Sequence, residues 1–237
     1  MRALRTSVVV ALVVALGSSL TLAAAAQCGW TARSLTTLST TFPRTGGGLV
    51  VALDPASGGA LAEATLPAIT VTRGRRTSVT LTPVAIAPGL FRVPFDAQVR
   101  RGLWTLHGLG PDATLTLGAG APPAVPVRPA VRQMRRVAAS GLGSSGQRIE
   151  VRADLEFPVP EGVVASLVTW NTDATPAAWM RATVGQTEMV VYTDPGGACP
   201  TAAPGWTSPS DPPLVARLSW VDRFGQISPA SDAITVQ

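Results

Sequence analysis

From Ile149 to Phe157 the chain alternates apolar and charged residues without a break: Ile149, Val151, Ala153, Leu155 and Phe157 against Glu150, Arg152, Asp154 and Glu156. Successive side chains of an extended backbone point to opposite faces. The pattern therefore predicts a half-buried strand, with five apolar side chains inward and four charges in water. Pro158 and Pro160 end it, because proline cannot donate to a ladder. Prolines number 21 in 237 residues, and past residue 26 no apolar stripe of 3.6-residue period runs for three turns. The chain is read as all-β.

Further strands are predicted at Val163–Trp170, Ala178–Val184, Thr187–Thr193, Leu214–Asp222 and Ala233–Gln237. Val163–Trp170 is mostly apolar on both faces, as a central strand would be. With Ile149–Phe157 this makes six short strands in about 90 residues, the spacing of a β-sandwich. The first half carries Gly48–Leu53, Ala68–Thr72, Ser78–Thr82, Leu90–Phe95, Gly102–His107 and Ala113–Leu117, punctuated by glycine, proline and aspartate. Between the halves, residues 119–146 read as a linker. Pro122, Pro123, Pro126 and Pro129 favour an extended segment, and the Ser/Gly run 140–146 a flexible joint.

The N-terminus has its own logic. Arg2 and Arg5 precede an apolar run from Val8 to Leu16, and Ala24 and Ala26 occupy the small positions of a secretory cleavage site. Cleavage is expected after Ala26, leaving a mature chain that starts at Gln27; an uncleaved anchor over Val8–Ala26 and a lipid-modified Cys28 are the alternatives. No later stretch is long and apolar enough to form a transmembrane helix. The chain has no lysine; all 19 basic residues are arginine. Abundant alanine, glycine and proline alongside this suggest a GC-rich bacterial genome, so export leads to the periplasm, the envelope or the outside. In such an oxidising compartment Cys28 and Cys199 are expected to form a disulfide, with two unrelated thiols as the alternative. Loop entropy sets a ceiling near ~5 kcal/mol on its contribution.

Charge divides unevenly. Residues 27–148 hold thirteen arginines against four acids, and residues 149–237 hold four against ten, net values of about +9 and −6. A basic half suits an anionic envelope polymer or nucleic acid. The arginines are not interleaved with aromatics as nucleic-acid grooves require, so no nucleic-acid partner is expected, and the preferred reading is that the two halves attract each other or simply remain solvated.

The stretch Trp220-Val221-Asp222-Arg223-Phe224-Gly225-Gln226-Ile227-Ser228-Pro229-Ala230-Ser231 resembles the last hairpin of fibronectin type III and related bacterial immunoglobulin-like domains. Those typically read Val-x-Asp-x-x-Gly-Asn-x-Ser-Pro-x-Ser before a final strand. Val168-Thr169-Trp170 similarly looks like their second strand, which often ends in a core tryptophan. Gln226 stands where asparagine is usual, and Leu214 or Ala216 where the family tends to keep a tyrosine. The resemblance covers residues 147–237; the first half is similar only in strand spacing. It implies a fibronectin III-like β-sandwich over 147–237 which, with the signal peptide (1–26) and the linker (119–146) read above, leaves 27–118 as an expected immunoglobulin-like β-sandwich. It also implies a spacer, adhesion or interaction role, although a fold alone licenses no function.

Chemistry is poorly supplied. A Ser-His-Asp triad could use only His107, the single histidine, and strand alternation sends that side chain to the face opposite Trp104 and Leu106. Ser144 and Ser145 do not sit in a nucleophile elbow. One histidine and two dispersed cysteines cannot make a zinc centre, and no phosphate-binding loop occurs, so neither metal nor cofactor is expected. Trp170 and Trp220 are read as core. Trp206, in the loop Pro204–Pro209, is the one candidate ligand contact, since an exposed tryptophan can stack on a sugar. The expectation is an exported, non-catalytic structural or interaction module that binds or spaces another envelope component, protein or polysaccharide. A glycan-binding protein using Trp206 is the alternative, and a hydrolase with a cryptic carboxylate pair the third reading.

Overall fold

The structure is a computed structural model that describes residues 30–38, 41–43, 46–55, 66–95, 97–120, 124–139, 148–171, 173–193 and 214–237. Residues 1–26, read as a signal peptide, and Cys28, Cys199 and Trp206 lie outside the described residues. Among the described residues there is no helix, hence none that is long and apolar enough to cross a membrane.

The described residues form sixteen strands: β1 (Trp30–Ser34), β2 (Thr41–Pro43), β3 (Gly48–Pro55), β4 (Ile69–Arg73), β5 (Thr77–Leu81), β6 (Val84–Ala87), β7 (Leu90–Pro94), β8 (Gly102–His107), β9 (Ala113–Gly118), β10 (Val131–Ala139), β11 (Arg148–Leu155), β12 (Val163–Trp170), β13 (Ala178–Arg181), β14 (Glu188–Thr193), β15 (Val215–Asp222) and β16 (Ile234–Thr235). They form four sheets, in the orders β1-β3-β7-β6, β2-β9-β8-β4-β5, β10-β11-β14 and β13-β12-β15-β16. Pairing is antiparallel except between β2 and β9. The first two sheets face each other over one core, which includes Leu49, Val51, Ile69, Val71, Trp104 and Leu115. The last two face each other over another, which includes Met134, Val151, Leu155, Val168, Leu218 and Trp220.

Strand β11 shows how the alternation works and where it stops. Val151, Ala153 and Leu155 are buried, but Phe157 is 70% exposed. The ladder ends at Leu155, and the chain bends away at residues 156–157 before Pro158. The expectation of five inward apolar residues is corrected to a shorter inward face in which Ile149 is only partly buried.

The linker reading of 119–146 also needs correction. Residues 131–139 are β10, paired along its length with β11. Met134 is fully buried, and β10 bridges in parallel to Val236 near the C-terminus. A register shift between Val131 and Gln133 breaks the period-two pattern, and so the strand is invisible to it. With β10 counted, β12 is the third strand of its sheet pair and not the second. Trp170 still closes it, 2% exposed, with its ring edge-on to Tyr192 at 5.7 Å.

Counting β10 also dissolves most of the charge asymmetry, because a cut at residue 148 runs through a sheet. Placed before β10, the cut leaves eight arginines against four acids in 27–123 and nine against ten in 124–237, net values of about +4 and −1. On the outer face of this sheet Arg135 pairs with Glu188 (2.8 Å) and Asp154 (3.7 Å), and Arg152 with Glu150 (3.0 Å) and Glu188 (3.4 Å). Gln133 adds a bond to Asp154. Hydrogen bonds that the Arg152 guanidinium donates to Glu150 and Glu188 hold it above its ordinary pKa. These exposed pairs contribute little stability each. Of these, the Arg135 pairs join β10 to acids of β11 and β14.

Candidate functional site

The two-sided apolar character of β12 has a structural cause. Val168 and Trp170 point into the core shared with β10-β11-β14. Ala165 and Leu167 point the other way and, with Val221 of β15, meet Val50 and Ala52 of β3 and Leu90 of β7. These residues are buried at 0–2% exposure. The outer faces of the β1-β3-β7-β6 and β13-β12-β15-β16 sheets are therefore pressed together, and the four sheets stack in four layers.

The turn after β15 completes this junction. Asp222 Oδ1 accepts from the backbone N–H groups of Phe224 (2.9 Å) and Gln226 (2.7 Å). Gly225 closes the turn at φ 77°, and a Cβ there would come within 2.7 Å of Arg92 Cγ on β7. So held, Phe224 inserts into the core of the first sheet pair, 5% exposed, edge-on to Phe42 at 5.9 Å. Phe42 in turn stands edge-on to Phe95 at 5.5 Å. Two polar bonds cross the same boundary: Thr36 Oγ1 donates to Arg223 O (2.7 Å), and Trp179 Nε1 donates to Pro88 O (3.1 Å). Burial raises the Asp222 carboxyl above its ordinary pKa, against the opposing pull of the Gln226 and Phe224 N–H groups and of Arg92 and Arg223.

Beyond the turn, Ser228 and Ser231 do the work of a strand. Their hydroxyls accept from the N–H groups of Trp220 (2.8 Å) and Leu218 (3.0 Å). Their own N–H groups donate back to the carbonyls of the same two residues, at 2.9 and 2.8 Å. This explains in physical terms the Ser-Pro-x-Ser pattern that the sequence matches only by resemblance.

His107 lies on the face opposite Trp104 and Leu106, as alternation requires, but it is not isolated. Nδ1 donates to Asp112 Oδ1 (2.7 Å), and Nε2 shares a hydrogen bond with Thr72 Oγ1 (2.9 Å). The order hydroxyl, imidazole, carboxylate is that of a triad, and sequence spacing could not reveal it because Thr72 is on β4. Thr72 is laddered to Ser78 on one side and Thr105 on the other. What the array does is tie the β8–β9 turn to β4. The carboxylates Glu150, Asp154 and Glu188 are interleaved with Arg135 and Arg152, as described above. Among the described residues no group of three His, Cys, Asp or Glu is placed to hold a metal ion.

No protein-family model matches the chain. No curated protein sequence matches it either. Among the solved structures that overlay on it are a tetra-tandem repeat in the extending region of a large adhesion protein and a Salmonella alpha-2-macroglobulin mutant. The first is 15% identical with a TM-score of 0.24, and the alignment covers 88% of this chain and 50% of that one. The second is 12% identical with the same TM-score, and covers 88% of this chain and 15% of that one. The chain thus spans half or less of either structure, and superposition at this level carries no argument about function.

Proposed function

We propose that the chain is an exported, non-catalytic module of the bacterial envelope or secretome, in which two immunoglobulin-like β-sandwich domains, the second fibronectin III-like, act as one rigid unit that binds or spaces another envelope component. The observation that carries this reading is the apolar junction: Val50, Ala52 and Leu90 against Ala165, Leu167 and Val221, with Phe224 plugged into the opposite core. Domains joined by a flexible tether move relative to each other unless their interface is large and apolar. Here both contacting sheet faces are apolar where they meet, and rigidity suits a spacer. The three-on-four arrangement of β10-β11-β14 facing β13-β12-β15-β16 supports the fibronectin III-like assignment. The charged start and apolar run of residues 1–26 support export.

Small-angle X-ray scattering on the mature protein tests the reading. A single compact particle is expected at low and at high salt, since an apolar junction is not screened. Leu167→Glu, which places a charge in the junction, is expected to extend the particle while the sheets persist by circular dichroism. Wild-type scattering that requires a mixture of docked and separated domains would remove the rigid-unit proposal.

A further inference from the structure

Of the eight arginines in residues 27–123, five gather at one end of the β2-β9-β8-β4-β5 sheet. The β4–β5 hairpin runs Arg73-Gly74-Arg75-Arg76, with Gly74 at φ 61° in the turn. The segment before β8 brings Arg100 and Arg101 beside it: Arg73 Nη1 donates to Arg101 O (3.0 Å), and the buried Trp104 holds Arg100 by donating Nε1 to its carbonyl (2.7 Å). All five guanidinium groups belong to exposed residues, and none has a carboxylate partner among the described residues. Asp96, the one acid in the sequence between 66 and 111, lies outside the described residues.

Between hairpin and segment runs an open groove of about 870 Å³, walled by Arg73, Arg76 and Arg100 with Thr77, Ser78 and Gln98 alongside. Arginines elsewhere in the molecule contrast with these. Arg128, Arg135 and Arg152 each have a carboxylate within 3.1 Å. A concentration of like charge in an exposed groove costs self-repulsion that a bound polyanion would relieve.

We infer that this groove binds an acidic polysaccharide, its guanidinium forks taking carboxylate groups along the polymer while Thr77 and Ser78 hydrogen-bond the sugar hydroxyls. Forked donors suit planar carboxylates, and short polar side chains beside them suit a hydroxyl-rich ligand. Nucleic acid is the less suited polyanion. The aromatic residue at the groove is Trp104, 3% exposed with its N–H already donated, so it offers no face on which a base could stack. The inference rests on the interaction-module reading but not on the rigid junction. Groove binding and scattering are measured separately, so either can fail alone.

The test is titration of the mature protein at low and moderate salt with polygalacturonate, with neutral dextran and with single-stranded DNA of matched charge. Two triple variants accompany the wild type: Arg73→Gln with Arg76→Gln and Arg100→Gln at the groove, and Arg128→Gln with Arg132→Gln and Arg181→Gln away from it. Polygalacturonate is expected to bind the wild type and the second variant alike, to lose roughly tenfold in affinity for the groove variant, and dextran not to bind. Equal loss in both variants would reduce the effect to net charge and overturn the inference. So would equal binding by all three proteins, or DNA binding more tightly than polygalacturonate at matched charge. Circular dichroism of the groove variant confirms that it is folded.

Discussion

Truncating Phe224 to alanine separates the energy of the junction from the energy of either core. The ring belongs by sequence to the turn after β15, yet it is 5% exposed inside the first sheet pair and edge-on to Phe42 at 5.9 Å with an interplanar angle of 87°. Phe→Ala at a buried site costs about 3–5 kcal/mol through lost transfer energy and the cavity left behind. The edge-to-face pair accounts for about 0.5–1.5 kcal/mol beyond area. Because the side chain crosses the boundary, its loss falls on the docking of one sheet pair against the other. Urea unfolding followed by tryptophan fluorescence and by far-ultraviolet circular dichroism is expected to show that loss, and to split from one transition into two. Phe224→Leu, which nearly conserves volume, is expected to cost less than about 1.5 kcal/mol. A cycle with Phe42→Ala should return a coupling of about 0.5–1.5 kcal/mol. Additive effects in that cycle, or a Phe224→Ala cost below about 1 kcal/mol, would refute the plug.

Three further outcomes follow from other parts of the molecule. Trp220→Ala, at a site 2% exposed between the last two sheets, should cost about 3–5 kcal/mol in chemical denaturation; a variant as stable as wild type would mean that the face is not core. For Asp222, whose folded-state pKa burial raises, the folded chain keeps a proton that the unfolded chain has released. Its contribution is therefore full in acid, below the ordinary carboxylate value, and is lost as pH rises through the raised one. Asp222→Asn should flatten that decline in urea midpoints, and an unchanged pH slope would count against it. Finally, protein exported by a bacterial host is expected to begin at Gln27 and, unreduced, to weigh two hydrogens less than its free-thiol mass. An N-terminus at Met1, or free labelling of both Cys28 and Cys199, would contradict those expectations.

What could be read from the sequence follows from what burial does to a strand. β11 and β15 show inward faces, Val151, Ala153 and Leu155 in one and Ala216, Leu218 and Trp220 in the other, because each has one face in a core and residues that obey period two. β12 announces burial on both sides, but nothing local says that its second cover is β3, more than a hundred residues earlier. β10 escapes because a bulge moves Met134 out of step and three arginines stand where a core strand would show apolar residues. β2 escapes because three residues ending in Pro43 carry too little pattern. The His107 array and the arginine groove share one obstacle. Thr72 with Asp112, and Arg76 with Arg100, are neighbours only after β4 and β8 pair, and one-dimensional spacing does not encode that pairing.

The hydroxyl-capped segment after β15 bears on how copies of the chain can join one another. An exposed strand edge with regularly spaced donors and acceptors is a template for adding a foreign strand, the common route to unwanted polymerisation. Along the middle of β15 that template is already occupied, since Ser228 and Ser231 take both the donors and the acceptors of Trp220 and Leu218. The covering segment is itself a poor seed for growth, because Pro229 has no N–H to offer and the serine hydroxyls are turned onward to Pro229 O and Asp232 O. Wherever copies of the chain meet at high local concentration, a blunted edge of this kind keeps neighbours from knitting into fibres.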